Sequence, residues 1–232
     1  MAKALLVEFY DQLPEINEGG DPKKWERKCH NALNNFKAVV QKRYIEGTLQ
    51  RLLQHGNERS RRAASLALGV AGTMDSNHLL AEHLRDDDMI VRTLAGDAMW
   101  RVWFRADAEA NNKELQRLMK IRNREEALAG YDTLVRKAPE FAEAYNQRAV
   151  LLFKMKEFQR SAIDCEKAYK LNPCHFGALA GMAQCFMNLR KPRMALKAFR
   201  ESHRLNPNLH GVEQAIRELE SVLGEERKDD RI

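Results

Sequence analysis

Residues 158–173 read FQRSAIDCEKAYKLNP, and residues 192–207, 34 positions later, read PRMALKAFRESHRLNP. A third proline, Pro139, stands the same 34 positions before Pro173. Other columns recur in step, including the small or apolar sets Ala127, Ser161, Ala195 and Tyr131, Cys165, Phe199. Self-similarity at this period indicates stacked helical hairpins. Such arrays present long surfaces to partners, so binding is the first function to consider.

Residues 108–209 resemble three tetratricopeptide (TPR) repeats. The helical hairpin of that family needs small residues where its two helices cross, which Ala149 with Ser161 and Ala183 with Ala195 supply. The resemblance is strongest over 142–209. The first copy, 108–141, departs from the family pattern at three positions that are usually apolar or aromatic: Asn111, Glu114 and Arg124.

A shorter repeat precedes this region, because residues 60–69 align with residues 91–100 at a period of 31. Small residues in each copy would allow close helix packing. The pair Val91-Arg92 after the acidic run 86–88 resembles the short variety of HEAT repeat, although Ser60 stands where that pattern has valine. In the polar turn, the acidic run is expected to cap the next helix rather than bind a cation.

We therefore predict an all-α fold, a right-handed superhelix of helical hairpins that is HEAT-like and then TPR-like. The predicted parts are an N-terminal arm (1–22), a helical cap with two HEAT-like repeats (23–105), three TPR repeats with a C-terminal capping helix (106–224), and a tail (225–232). Asp21 is the expected N-cap of the helix that begins at Pro22. The closing helix is predicted from one apolar stripe: Val212, Ala215, Ile216, Leu219, Val222 and Leu223.

Composition favours a soluble, helix-rich chain, because 31% of the residues are charged and 7% are aromatic. No apolar run approaches the roughly 20 residues that span a bilayer. The apolar N-terminal stretch meets Glu8 too early for a secretory signal, so a cytoplasmic location is predicted. The four cysteines form no regular framework and are expected to be inert thiols, with a Cys165–Cys185 disulfide as the alternative.

Catalytic and cofactor motifs are absent from the sequence. There is no glycine-rich phosphate loop, no HExxH and no GxSxG. His78 and His83 are five positions apart, which does not place two ligands on one helical face. We therefore predict that the protein is not an enzyme and holds no cofactor or metal.

The TPR resemblance implies a binding groove lined by the first helix of each hairpin. Such a groove suits an extended peptide, because amides can bond its backbone while apolar residues accept its side chains. The predicted lining residues are Asn112, Gln116, Met119, Asn146, Val150, Phe153, Lys154, Ala180, Gln184, Met187 and Asn188. The predicted function is therefore that of an adaptor or scaffold for an unidentified protein or peptide.

One TPR subfamily, the binders of chaperone tails, clamps a terminal carboxylate with lysine, asparagine and arginine. Here Gln147 occupies the place of the clamp asparagine, and the third repeat has Gly177, Ala180 and Gly181 where basic residues should stand. A co-chaperone role is therefore not predicted.

Two further hypotheses come from charge. The net charge is +6, and arginines and lysines of the HEAT-like region could follow a phosphate backbone, although acidic residues interrupt them. Nucleic acid is therefore the alternative partner and the less favoured one. The acidic N-terminal arm, with Phe9, Tyr10 and Leu13, could occupy a basic groove of its own or a neighbouring molecule, which would allow self-association. A simple helix packed on the Trp25 face is the alternative for that arm.

Overall fold

The computed structural model describes residues 5–14 and 21–224, and within these ranges the regular structure is α-helical with short 3₁₀ turns and no strand. The prediction of an all-α chain of helical hairpins is confirmed. The chain forms two compact units, Met1–Val102 and Trp103–Ile232. Within the described ranges, no helix is long and apolar enough to cross a bilayer.

The first unit begins with two helices that precede its hairpins, α1 and α2. Its helices are α1 (Leu5–Tyr10), α2 (Pro22–Arg43), α3 (Glu46–His55), α4 (Glu58–Ala71), α5 (Asn77–Glu82) and α6 (Met89–Trp103). The predicted cap of α2 is confirmed, because the Asp21 side chain accepts a hydrogen bond from the Lys23 amide at 3.0 Å. The helix α4 begins in the same way, with Asn57 accepting from the Ser60 amide at 3.0 Å.

The N-terminal helix α1 packs against α4 and α2 of its own unit. Leu6 and Val7 are buried in this contact, and Asp11 pairs with Arg59 at 3.3 Å. The described part of the predicted arm is therefore a helix docked mainly on α4, and its packing on the Trp25 face stays a prediction. Residues 1–4 and 15–20 of the predicted arm lie outside the described residues, and self-association through the arm remains a prediction.

The acidic run 86–88 organises the turn before α6. Asp88 accepts a hydrogen bond from the Val91 amide at 2.8 Å and so caps α6, as predicted. Arg61 forms two hydrogen bonds to Asp86, and Arg62 pairs with Asp88. The helices α4 and α6 approach closely, because a Cβ on Gly69 would lie 3.2 Å from Ala98. The HEAT-like assignment of this region nevertheless stays a prediction.

The second unit is a sequence of helices in which each one packs on the next along the chain. These helices are α7 (Glu109–Leu118), α8 (Arg124–Lys137), α9 (Ala142–Lys154), α10 (Phe158–Leu171), α11 (Phe176–Asn188), α12 (Pro192–Leu205) and α13 (Val212–Leu223). The prolines that mark the period follow helix ends, with Pro173 two residues after α10 and Pro207 two residues after α12. Proline cannot continue a helix and restricts the residue before it.

Small residues occupy the helix crossings of this unit, as predicted. The Ser161 hydroxyl donates to the Ala149 carbonyl at 2.8 Å, which joins α10 directly to α9. Ala183 and Ala195 belong to one buried cluster that α13 completes with Val212, Ile216 and Leu219. One residue of the predicted apolar stripe departs from the pattern, because Val222 is 80% exposed.

Candidate peptide-binding groove

The first helices of the three predicted TPR hairpins, α7, α9 and α11, are neighbours within the second unit. Helices α9 and α11 contact each other directly. The end of α7 and the second half of α9 line one pocket, to which Leu118 and Val150 both contribute. The helices that were predicted to form the groove therefore lie side by side.

The predicted groove residues differ in how far they reach the surface. Seven are exposed: Gln116, Met119, Val150, Lys154, Gln184, Met187 and Asn188. Three are half-buried: Asn112, Phe153 and Ala180. Asn146 is buried, with 4% of its surface exposed. The exposed set includes three large apolar side chains, one on each hairpin, which are Met119, Val150 and Met187 at 41–47% exposure.

Some of these candidates are occupied by contacts within the chain. The Asn112 amide donates to the Asp107 carbonyl at 2.6 Å, and the Asn188 amide donates to the Gln184 carbonyl at 2.9 Å. Phe153 packs edge-on against Phe158, with ring centroids 5.2 Å apart. These side chains therefore stabilise the helices that bear them, and only the groups left exposed can meet a ligand.

Asn146 serves the interior rather than the groove. Its amide donates to Glu143 Oε1 at 3.1 Å, and Gln147 donates to the same oxygen at 2.6 Å. The other carboxylate oxygen lies 2.9 Å from His175 Nε2, and His175 stacks on Trp103 at 4.2 Å between centroids. Asn146 is buried and its amide is bonded to the buried Glu143 carboxylate, so its side chain is not available to a ligand in the groove. Asn146 is therefore not among the proposed contacts.

A pocket lies next to α9 on this row. Its volume is about 330 Å³, at the lower end of the range for ligand pockets. It opens between the α7–α8 turn and the second half of α9. Its apolar lining is Leu118, Met119, Ile121, Ala127, Tyr131, Val150 and Leu151, and its polar lining is Arg122, Arg124, Gln147 and Lys154.

An aromatic pair that the second hairpin has is missing at the corresponding positions of the first hairpin, next to the pocket. One period after Met119 and Arg124 stand Phe153 and Phe158, whose rings pack together across the α9–α10 turn. The backbone of the two turns differs too. Helix α9 ends at Lys154, and the turn after it has Lys156 at φ 64°. Helix α7 ends at Leu118, which is two positions before the residue that corresponds to Lys154 in the repeat. The α7–α8 turn is therefore not closed by stacked rings.

The rim of the pocket is cationic. Arg122, Arg124 and Lys154 are exposed, and within residues 21–224 none of the three forms an ion pair; no carboxylate lines the pocket. Arg124 uses one guanidinium nitrogen to donate to the Lys154 carbonyl at 3.2 Å, which leaves its charge unneutralised. On the floor, burial raises the pKa of Tyr131 to about 12, so its phenol stays neutral near pH 7.

Three of the predicted groove residues, Met119, Val150 and Lys154, line this pocket, together with Arg122, Arg124 and Tyr131, which were not predicted. A signal for Arg124 was available, since it departs from the usual apolar residue of the repeat. Nothing comparable marked Arg122, whose place depends on the shape of the turn.

Four arginines of the first unit are engaged by contacts within that unit. Arg61 and Arg62 pair with Asp86 and Asp88, and Arg59 pairs with Asp11. Arg92 donates to the carbonyls of Asp86 and Asp87 at 2.8 and 3.2 Å. These contacts engage part of the positive charge that the sequence indicated, and binding of nucleic acid stays a prediction. Within the described residues, no group of three or more His, Cys, Asp or Glu side chains could hold a metal ion.

A TPR repeat-containing protein of Rhizobium etli is 32% identical to this chain over 101 residues. The match covers 44% of this chain, and the chain spans about half the length of this curated relative. No protein-family model matches the chain.

Similar solved structures include the first TPR of Spaghetti (RPAP3) bound to an HSP90 peptide, at 23% identity and a TM-score of 0.43. That likeness covers 50% of this chain and 89% of the other. The complex of the TPR2AB domain of yeast Sti1 with pHSP90 is similar at 17% identity and a TM-score of 0.42, over 88% of this chain and 80% of the other. Neither likeness is close enough to identify a partner of this chain. The curated relative supports the TPR resemblance, while the comparisons do not bear on the HEAT-like repeats.

Proposed function

We propose that this protein is a non-catalytic interaction module that binds a peptide or protein segment along the row formed by α7, α9 and α11. The observation that carries the proposal is the placement of Met119, Val150 and Met187, which are exposed on adjacent hairpins along one row of helices. Three apolar side chains on three adjacent hairpins can each receive an apolar side chain of an extended segment.

Polar groups along the same row support this function. The Gln184 side chain is exposed, and so are those of Gln116 and Lys154. Amides can donate to and accept from a peptide backbone, while the apolar residues supply burial. The TPR resemblance of the curated relative supports an interaction role of the same general kind.

The test uses matched glutamate substitutions on the two faces of the second unit. Val150→Glu and Met187→Glu place a carboxylate on the proposed row. Ile163→Glu and Met194→Glu place the same charge on α10 and α12, at residues that are 57% and 47% exposed. A peptide is first selected from a random library against the full chain, and its Kd is then measured by fluorescence anisotropy for each variant.

We expect the two substitutions on the row to weaken binding at least tenfold, about 1.4 kcal/mol, and the two controls to change it less than threefold. If the controls weaken binding as much as the row variants, or if only the controls do, the binding face lies on the second helices and the proposal is wrong. Failure of any peptide to be selected would also count against it.

A further inference from the structure

We propose that the pocket between the α7–α8 turn and α9 receives an aliphatic side chain from an acidic segment of the partner, whose carboxylates meet Arg122, Arg124 and Lys154. This inference rests on the proposed function, because the pocket continues the row formed by α7, α9 and α11. It adds the chemical class of the partner and the place where that class is recognised.

The first step is the shape of the pocket. The second hairpin has the Phe153–Phe158 ring pair, whereas the first hairpin has Met119 and Arg124 at the corresponding positions. The cavity of about 330 Å³ is large enough for one branched aliphatic side chain and part of its backbone. It is too small for a folded element, so the occupant is a single side chain of an extended segment.

The second step is the division of the lining into an apolar floor and a charged rim. Met119, Ile121 and Leu151 offer apolar surface, which a small inorganic anion would not use. The three cations stand around this floor without a carboxylate partner among the described residues. The unpaired rim therefore favours an occupant that brings its own negative charge.

The charge and the lining of the pocket do not suit other kinds of occupant. A basic segment would place like charges together at the rim, which costs binding free energy. A nucleic-acid strand would supply phosphates, but single-strand sites use exposed aromatic rings for stacking. The ring in this pocket, Tyr131, is 97% buried, because only 3% of its surface is exposed. An acidic peptide with an aliphatic residue satisfies both parts of the lining.

The experiment presents the immobilised full chain with three pools of blocked peptides that share a central leucine, isoleucine or valine. The flanking positions contain aspartate and glutamate in the acidic pool, lysine and arginine in the basic pool, and serine and glycine in the neutral pool. Retained peptides are quantified by mass spectrometry. A labelled oligothymidine is tested separately as the nucleic-acid probe.

Two variants test the pocket from different directions. Arg124→Phe copies the residue that the second hairpin has one period later, and is expected to fill the pocket. Lys154→Glu reverses one rim charge at an exposed position and should leave folding intact. Arg193→Glu is the matched control, since Arg193 is an exposed cation on α12 away from the pocket. Thermal melting by circular dichroism verifies that each variant is folded.

We expect retention of the acidic pool at least tenfold above the basic and neutral pools, and a loss of at least tenfold in both pocket variants with little change in the control. Retention should also fall as salt rises, since exposed charges are screened over about 10 Å at 0.1 M. If the basic or neutral pool is retained, and Met187→Glu, which lies on the row but outside the pocket, changes that retention at least tenfold, the groove function stands and this inference is wrong. Equal retention of the acidic pool by wild type and both pocket variants would also overturn it, as would oligothymidine binding that Lys154→Glu abolishes. Retention of no pool would count against both proposals.

Discussion

Arg148 connects three consecutive helices of the second unit, and its removal should be among the most destabilising single changes there. From α9, it donates two hydrogen bonds of 2.7 Å to Asp164 on α10 and one of 2.8 Å to Asp132 on α8. The two carboxylates differ in burial, because the Asp164 side chain is 6% exposed and the Asp132 side chain is 40% exposed. Arg148 itself is 17% exposed.

The magnitude follows from this difference. Arg148→Met keeps most of the apolar stem but leaves the buried Asp164 carboxylate without its cation, which should cost about 3–5 kcal/mol. Asp132→Asn removes only a half-exposed pair and should cost less than about 1 kcal/mol. Since a whole domain is stable by about 5–15 kcal/mol, the first change should be large enough to open α9 and α10 locally.

The assay is urea unfolding followed by circular dichroism at pH 7, with hydrogen exchange of peptides from α9 and α10 to locate the loss. Asp164→Asn and the double variant with Arg148→Met complete a double-mutant cycle, which isolates the coupling between the two residues. A cost below 1 kcal/mol for Arg148→Met would refute the reasoning from burial. So would a cost for Asp132→Asn that equals the cost for Asp164→Asn.

Three further predictions concern the ends of the chain and its thiols. Leu219→Ala should lower the free energy of unfolding by about 2–5 kcal/mol, because Leu219 is buried in the cluster closed by α13. Val222→Ala, at an exposed residue of the same helix, should change it by less than about 0.5 kcal/mol. Equal costs in urea titrations would contradict the described packing. Hydrogen bonds from Arg62 hold the pKa of the Asp88 carboxyl well below its usual range. The ionised carboxylate therefore stabilises the folded protein above the unfolded pKa of about 3.9, and this stabilisation is lost as pH falls below that value. Asp88→Asn keeps a side chain that can cap α6 but removes the charged pair with Arg62, so it should lower the free energy of unfolding at pH 7 by about 1.5–3 kcal/mol and flatten its dependence on pH between 5 and 3. An unchanged pH dependence would contradict the pairing. In the folded protein, iodoacetamide should modify the half-buried Cys29 first. The three buried thiols, Cys165, Cys174 and Cys185, should react only after urea unfolds the chain. Mass spectrometry of tryptic peptides gives the order of modification, and reaction of a buried thiol before Cys29 would contradict the described burial.

The sequence predicted the parts of the fold that depend on local rules. The period of 34 located the hairpins because each repeat must meet its neighbour in the same way, and the structure has α10 and α12 ending just before Pro173 and Pro207. Asp21 and Asp88 were predictable as caps, since a short acceptor before a helix satisfies its free amides. These features require knowledge of only a few neighbouring residues.

The remaining features depend on residues that are distant in the sequence. Asn146 occupies a groove position in the repeat, yet its side chain is buried and bonds the Glu143 carboxylate. That carboxylate also contacts His175, which is 32 residues away in the sequence. The pocket beside α9 combines residues of the α7–α8 turn with residues of α9. Whether Arg122 faces that pocket follows from the path of the turn, which the pattern of residue types does not specify.

The most direct test of the central claim is an NMR titration of the full chain labelled with ¹³C at its methionine methyl groups. Met119 and Met187 lie on the proposed row, and Met194 is equally exposed, at 47%, but on α12. Addition of a peptide selected for binding should shift the methyl signals of Met119 and Met187 and leave that of Met194 unchanged. A shift of Met194 without shifts of the other two would contradict binding along α7, α9 and α11.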